Sequence, residues 1–193
     1  MAILAFVFAT TWFVTGAMAA HLPRLLEIAG ASTTAAIAAA LVGPAQVAAR
    51  LVEFGALRMV HPLVSARLAA LLHPIGAIIL ALVGPGAITA FAVLHGAGNG
   101  LLTIAKGTVP LAIFGPVGYG LRTGILGAPA RATQAASPLL FGLLMDYMGI
   151  SVLAISAGLS LSALFALLML RARPTAAPAP ASSARSALPD VPG

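Results

Sequence analysis

Long apolar runs constrain this chain more than any other feature of its sequence. Six segments of about 20 mostly apolar residues follow one another, and about 20 such residues span a bilayer as a helix. Only 7% of the residues are charged, whereas soluble domains carry about 25%. The sequence therefore predicts an all-α integral membrane protein with six transmembrane helices, at residues 2–20, 33–52, 63–83, 87–114, 123–145 and 150–170.

Proline and glycine mark the joints between these segments. Gly84-Pro85-Gly86 predicts a tight turn, so the third and fourth helices should form a hairpin. His21-Leu22-Pro23 and Met148-Gly149 predict two further joints. Residues 1–171 are expected to form one six-helix bundle, and residues 172–193, rich in Pro, Ala and Ser, a disordered cytoplasmic tail. The first apolar run is too long for a signal peptide, so we expect a helix that the mature protein keeps.

Arginine distribution predicts the orientation in the membrane. With a cytoplasmic N-terminus, the outside loops carry one arginine, Arg24. The inside would carry Arg58, Arg67, Arg122, Arg171 and Arg173. Positively charged residues collect on the cytoplasmic side, so a multi-pass protein of the inner (plasma) membrane with both termini in the cytoplasm is expected.

A polar stripe interrupts the fourth apolar segment. His95, Asn99, Thr103 and Lys106 follow at steps of four, four and three, which places them on one helix face. A lysine facing lipid at mid-depth costs roughly 2.5 to 3.5 kcal/mol, so the stripe should line an internal cavity. Gly96 and Gly100 have the small-x-x-x-small spacing that lets a neighbouring helix approach closely.

The second and fifth segments carry similar polar groups. Gln46, Arg50 and Glu53 share one face of the second, where Arg50 and Glu53 can pair at i,i+3. The fifth carries Arg131 and, one turn on, Gln134. Each is the middle helix of a three-helix block with a proline, a glutamine and an arginine. This pattern indicates a faint internal repeat, whose second copy would be inverted in the membrane.

Several classes of protein are disfavoured. The chain has no cysteine, isolated aspartates and no histidine spacing typical of metal ligands, so no metal site or cofactor is expected. It lacks the Gly-x-Ser-Gly run of an intramembrane serine protease, so no enzyme activity is expected. The net charge of +6 forms no basic cluster with interleaved aromatics, which argues against nucleic-acid binding.

Three motifs resemble bacterial major facilitator superfamily transporters. They are the runs Gly43 to Arg50, Gly98 to Pro110, and Pro129 to Gly142. They are similar to the C-terminal half of that family, helices seven to twelve, over residues 1 to about 173. The resemblance implies a secondary transporter built from two six-helix bundles, with a substrate path between the bundles and alternating access by rocking.

The N-terminal half of such a transporter is missing from this sequence. The chain is therefore expected to act as a fragment of a longer gene product, as one subunit of a split transporter, or as a homodimer. Its expected partners are the bilayer, a small solute and an N-terminal half or second copy. The alternative is a non-transporting scaffold or regulatory subunit, which would tolerate Arg131→Ala and Lys106→Ala where a transporter would lose flux.

Each polar residue has two readings. Lys106 and Arg131 either bind an anionic solute or a coupling carboxylate, or Lys106 extends to the membrane interface. His95, with an unperturbed pKa near 6.5, either relays protons for ion coupling or joins helices with Asn99. Arg50 and Glu53 are expected to form a structural or gating ion pair, and Trp12 either packs or lines the path. The predicted pathway residues are Arg131, Lys106, His95, Asn99, Thr103, Gln134 and Gln46.

Overall fold

The computed structural model describes residues 1–31, 34–57 and 59–171, and these residues are helical apart from short turns. The predicted tail, together with Arg58 and Arg173, lies outside the described residues. The α-helices are α1 (Ala2–Ile28), α2 (Ala35–Ala40), α3 (Val42–Val52), α4 (Pro62–Val83), α5 (Ile88–Phe114), α6 (Tyr119–Met148) and α7 (Val152–Met169). A π-helical turn, Glu53–Leu57, extends α3.

Four continuous helical stretches in the described ranges are long and apolar enough to cross a membrane: Ala2–Ile28, Ala35–Leu57, Pro62–Phe114 and Tyr119–Met169. The all-α class is confirmed, and the length and apolar character of these stretches fit a membrane protein, but the stretches number four where the sequence predicts six. Two of them continue through a single 3₁₀ turn, Gly84–Ala87 or Gly149–Ser151, that ends one helix and starts the next. Gly84 and Gly149 have φ of 74° and 58°, which favours glycine.

The first of these turns folds the chain back on itself. His73 Nδ1 of α4 lies 3.0 Å from His95 Nδ1 of α5, 22 residues later. A straight helix of that length would separate them by about 33 Å. The predicted hairpin at Gly84-Pro85-Gly86 is therefore confirmed.

One predicted boundary is wrong. α1 continues through the expected joint His21-Leu22-Pro23 to Ile28, because Leu22, Leu25 and Leu26 are buried in the core and tertiary packing holds the helix past the proline. The second segment stays one helical stretch but is interrupted at Leu41, between α2 and α3. Pro44 explains this interruption, since its ring clashes with the carbonyl four residues earlier and its nitrogen donates no hydrogen bond.

The helices pack in a regular set of pairs. α1 lies against α6 and α7, α4 lies against α5 and α7, and α3 lies against α5. The α3–α5 contact is very close: a Cβ at Gly96 would lie 2.6 Å from the Val42 carbonyl oxygen, and one at Gly100 would lie 2.5 Å from that of Gln46. The close approach predicted from the glycine spacing is confirmed.

Candidate functional site

The N-terminal part of the α5 stripe, His95 and Asn99, borders a cavity between α1, α2, α3 and α5. The cavity has a volume of about 230 Å³, and its polar lining comes from Thr15, Gln46, His95 and Asn99. The Thr15 hydroxyl can donate to Asn99 Oδ1, which lies 3.0 Å from Thr15 Oγ1. The Thr11 carbonyl oxygen lies at the same distance from Thr15 Oγ1. Three predicted pathway residues, Gln46, His95 and Asn99, thus share one cavity wall.

A second cavity of about 20 Å³ lies on the other side of His95, where it is lined by His73, Asn99, Thr15 and Ser160 among others. This volume holds about one water molecule, and its polar lining offers the two to four partners that a buried water needs. Thr15, His95 and Asn99 line both cavities. They form the wall between the larger cavity and the core.

Behind that wall, a buried hydrogen-bond chain joins α4, α5 and α7. Ser156 Oγ donates to the Leu153 carbonyl oxygen at 2.9 Å, so it accepts from His73 Nε2 at 3.0 Å. His73 Nδ1 then carries no proton and accepts from His95 Nδ1 at 3.0 Å. All three side chains of this hydrogen-bonded series, His73, His95 and Ser156, are buried. The three helices are therefore joined through buried polar groups that are paired with one another.

Removing the end of this chain is expected to destabilise the bundle. Ser156→Ala leaves the buried His73 Nε2–H without an acceptor, which typically costs about 1–3 kcal/mol. Ser162→Ala is the matched control, because Ser162 Oγ makes the same local bond, to the Leu159 carbonyl oxygen at 2.7 Å, and is only half-buried. Thermal unfolding of both variants in detergent measures the difference, and equal melting temperatures would contradict the assignment.

Thr103, in the C-terminal part of the stripe, contacts α3. Arg50 Nη2 lies 3.4 Å from Gln46 Oε1 and 3.4 Å from Thr103 Oγ1. The ion pair predicted between Arg50 and Glu53 is not formed: Glu53 Oε2 is shielded and has no hydrogen-bond partner among the described residues. Arg50 instead turns across to α5, where Thr103 accepts from its guanidinium.

Lys106 faces α1 through a cation–π contact. Its Nζ lies 4.7 Å from the centre of the Trp12 ring. Trp12 is half-buried and lies on α1 between the side that touches α5 through Thr15 and the side that touches α6 through Gly16. The Lys106–Trp12 contact therefore lies on the side of α1 that is between α5 and α6.

The two predicted residues of α6 take different positions. Gln134 packs against α1, where its Cγ would lie 3.1 Å from a Cβ at Gly16. Arg131, one turn earlier, is exposed and has no hydrogen-bond or ion-pair partner among the described residues. Lys106 thus faces α1 and Arg131 is exposed on α6.

Sequence reasoning assigned no function to His73, Thr15 or Ser156. His73 was recoverable, because a histidine in the middle of an apolar span needs a polar partner inside the protein. Thr15 and Ser156 were not, since a threonine or serine on a membrane helix commonly bonds its own backbone.

No known family model, curated protein or solved structure matches the chain. Within the described ranges, no group of three or more His, Cys, Asp or Glu could hold a metal ion.

Proposed function

We propose that this chain is half of a secondary transporter of the major facilitator type, which moves a small solute across the inner membrane by alternating access. The solute is taken to be anionic and its movement to be ion-coupled. In this proposal the four helical stretches make six crossings, because two of them fold back, and both termini lie in the cytoplasm.

The observation that carries the proposal is one continuous polar face across three apolar helices. Arg50 of α3 reaches Thr103 of α5, Lys106 of α5 covers Trp12 of α1, and Asn99 bonds to Thr15. Ionisable groups inside membrane helices are costly, and they usually mark a substrate or ion path. A face that joins them through neighbouring helices offers a solute several polar contacts.

The packing pattern supports a two-block architecture. If α1, α3 and α4 form one block and α5, α6 and α7 the other, the α1–α6 contact corresponds to the α5–α3 contact. The α4–α5 contact likewise corresponds to the α7–α1 contact. Paired contacts of this kind are expected from an inverted repeat of three helices, and transporter sites typically lie at such repeat interfaces.

In this proposal the polar face of α1, α3 and α5, together with α6, meets an N-terminal half or a second copy of the chain. The solute then binds between the two bundles. Rocking of one bundle against the other exposes it first to one side of the membrane and then to the other. Arg131, exposed on α6, would contact the partner bundle or the solute.

The test uses cells in which the native gene is replaced by variants. Lys106→Ala and Arg131→Ala are each expected to abolish the uptake or efflux that deletion of the gene abolishes, while membrane levels of the protein stay at wild-type values. Arg24→Ala, which removes an exposed arginine paired with Asp146, is the control and should keep full flux. Flux is measured with labelled monocarboxylates, dicarboxylates and inorganic phosphate.

Two outcomes would contradict the proposal. If both Ala variants supported wild-type flux and growth, the chain would be a scaffold or regulatory subunit. If the complex in vesicles carried solute at a rate that responded to no ion gradient, ion coupling would be refuted.

A further inference from the structure

The arginines in the described ranges differ in how well they are paired. Arg24 bonds Asp146 at 2.8 Å, and Arg67 donates three hydrogen bonds of 2.8–3.2 Å to carbonyls at the end of α7. Arg122 donates to the Phe114 carbonyl oxygen at 2.6 Å. These three guanidiniums have strong partners in the protein. Arg131 and Arg171 are exposed and have no partner among the described residues. Arg50 differs from both groups, because it is half-buried and yet weakly paired.

Arg50 is poorly satisfied. Its two contacts are both 3.4 Å long, beyond the usual range of 2.7–3.2 Å, and its Nε is shielded with no partner. Nε and Nη2 form one edge of a guanidinium, as Arg67 shows by donating from both to the Leu167 carbonyl oxygen. That edge matches the two oxygens of a carboxylate or phosphate.

A second cation lies beside it. Thr103, which Arg50 contacts, is three residues before Lys106, so both side chains lie on one face of α5 about 5–6 Å apart at Cβ. Lys106 has no hydrogen-bond acceptor among the described residues, only the Trp12 ring. Arg50 thus contacts Thr103, and the next polar side chain along that face of α5 is a second cation, Lys106.

No carboxylate neutralises this pair within the described ranges. The salt bridge found there joins Arg24 to Asp146, and Glu53 pairs with neither cation. The chain has only four acidic residues in all. Two cations on helices that are otherwise apolar attract an anion far more strongly than they would in water, because the surrounding dielectric is low.

We propose that Arg50, Thr103 and Lys106 form the oxyanion-binding subsite of the transporter, in which the Nε–Nη2 edge of Arg50 and the ammonium of Lys106 hold a carboxylate or phosphate group. The oxyanion replaces the weak contact of Arg50 with Gln46 and draws Lys106 away from Trp12. This inference rests on the proposed transport function, and it assigns Arg50 to the solute instead of to a pair with Glu53.

The chain carries its own reporter of this event. Trp12 is the single tryptophan, and Lys106 lies over its ring. The purified full chain in detergent is titrated with sodium acetate or sodium phosphate, with sodium chloride keeping the ionic strength constant. We expect a saturable change in tryptophan fluorescence, and the anion with the lower midpoint identifies whether a carboxylate or a phosphate is preferred.

Three variants test the assignment. Arg50→Gln should raise the midpoint about tenfold to a hundredfold, since it removes charge-assisted hydrogen bonds. Arg50→Lys, which keeps the charge but not the two-pronged edge, should lie between Arg50→Gln and wild type. Lys106→Gln should lose the fluorescence change. Thr108→Val is the control: Thr108 is on the same helix and bonds only the Ile104 carbonyl oxygen.

The site is overturned if neither anion gives a saturable change, or if folded Arg50→Gln and Arg50→Lys bind like wild type. Binding is measured without transport, so the two proposals can fail separately. Anion binding lost in Arg50→Gln, with no flux in cells, would leave the site standing and refute the transporter. Flux in cells, together with unchanged anion binding by the Arg50 variants, would support the transporter and refute the site.

Discussion

Replacing Gly100 by leucine is expected to separate α3 from the bundle and to leave little folded protein. A Cβ at this position would lie 2.5 Å from the Gln46 carbonyl oxygen and 3.0 Å from Gln46 Cα. Both atoms belong to the backbone of α3, so no side-chain rotation relieves the clash. Overpacking a core commonly costs about 1–3 kcal/mol, and here the whole helix must move, so we expect a loss above 3 kcal/mol.

The matched control is Gly158→Leu on α7, where a Cβ meets no atom within 4 Å. It should keep or slightly raise stability, because glycine costs a helix roughly 0.8–1.0 kcal/mol relative to alanine. Melting temperature and yield of monodisperse protein after detergent extraction measure both variants. If Gly100→Leu melted within a few degrees of Gly158→Leu, the close α3–α5 crossing would be wrong.

The close helix approach at Gly96 and Gly100 could be predicted from the sequence, because small residues four apart make a flat helix face whatever the partner helix is. The sequence did not identify the partner helix. The same limit applies to the polar stripe: its spacing correctly places His95, Asn99, Thr103 and Lys106 along α5, but three different helices meet them. His95 turns to α4, Asn99 and Lys106 to α1, and Thr103 to α3. Helical periodicity specifies directions around one axis, and only packing specifies what lies there.

The Arg50–Glu53 prediction was wrong for a related reason. The i,i+3 rule assumes a continuous α-helix with no better partners nearby. Glu53 keeps α-helical geometry relative to Arg50, since its N–H bonds the Ala49 and Arg50 carbonyls, so the backbone spacing would allow the pair. Thr103 of α5 competes for the guanidinium instead. The position of α5 cannot be read from the sequence of α3 alone.

Charge counting predicted an orientation from arginines that it treated as equivalent. Arg67, assigned to an inside loop, lies within α4, where its Nε and Nη2 bond the carbonyl oxygens of Leu167 and Leu170 near the end of α7. These carbonyls lie in the last turn of α7 and at its C-cap, where Leu167 accepts otherwise, within the described residues, only a long bond of 3.3 Å from the Leu170 N–H, and a cation there also meets the negative end of the helix dipole. Arg67 therefore joins α4 to α7, whatever it contributes to topology.

Arg67→Ala is accordingly expected to destabilise the bundle by about 3 kcal/mol, since hydrogen bonds to a charged group contribute about 1.5–3 kcal/mol and several are lost together. Arg67→Lys should recover part of this, because an ammonium can reach one carbonyl but lacks the fork. Arg24→Ala is the matched control: its partner Asp146 is 56% exposed, and exposed pairs contribute about 0–1 kcal/mol. Chemical or thermal unfolding in detergent separates the two. Equal losses for Arg67→Ala and Arg24→Ala would show that the α7 carbonyls are satisfied by water instead, and that α7 is held to α4 by apolar packing alone.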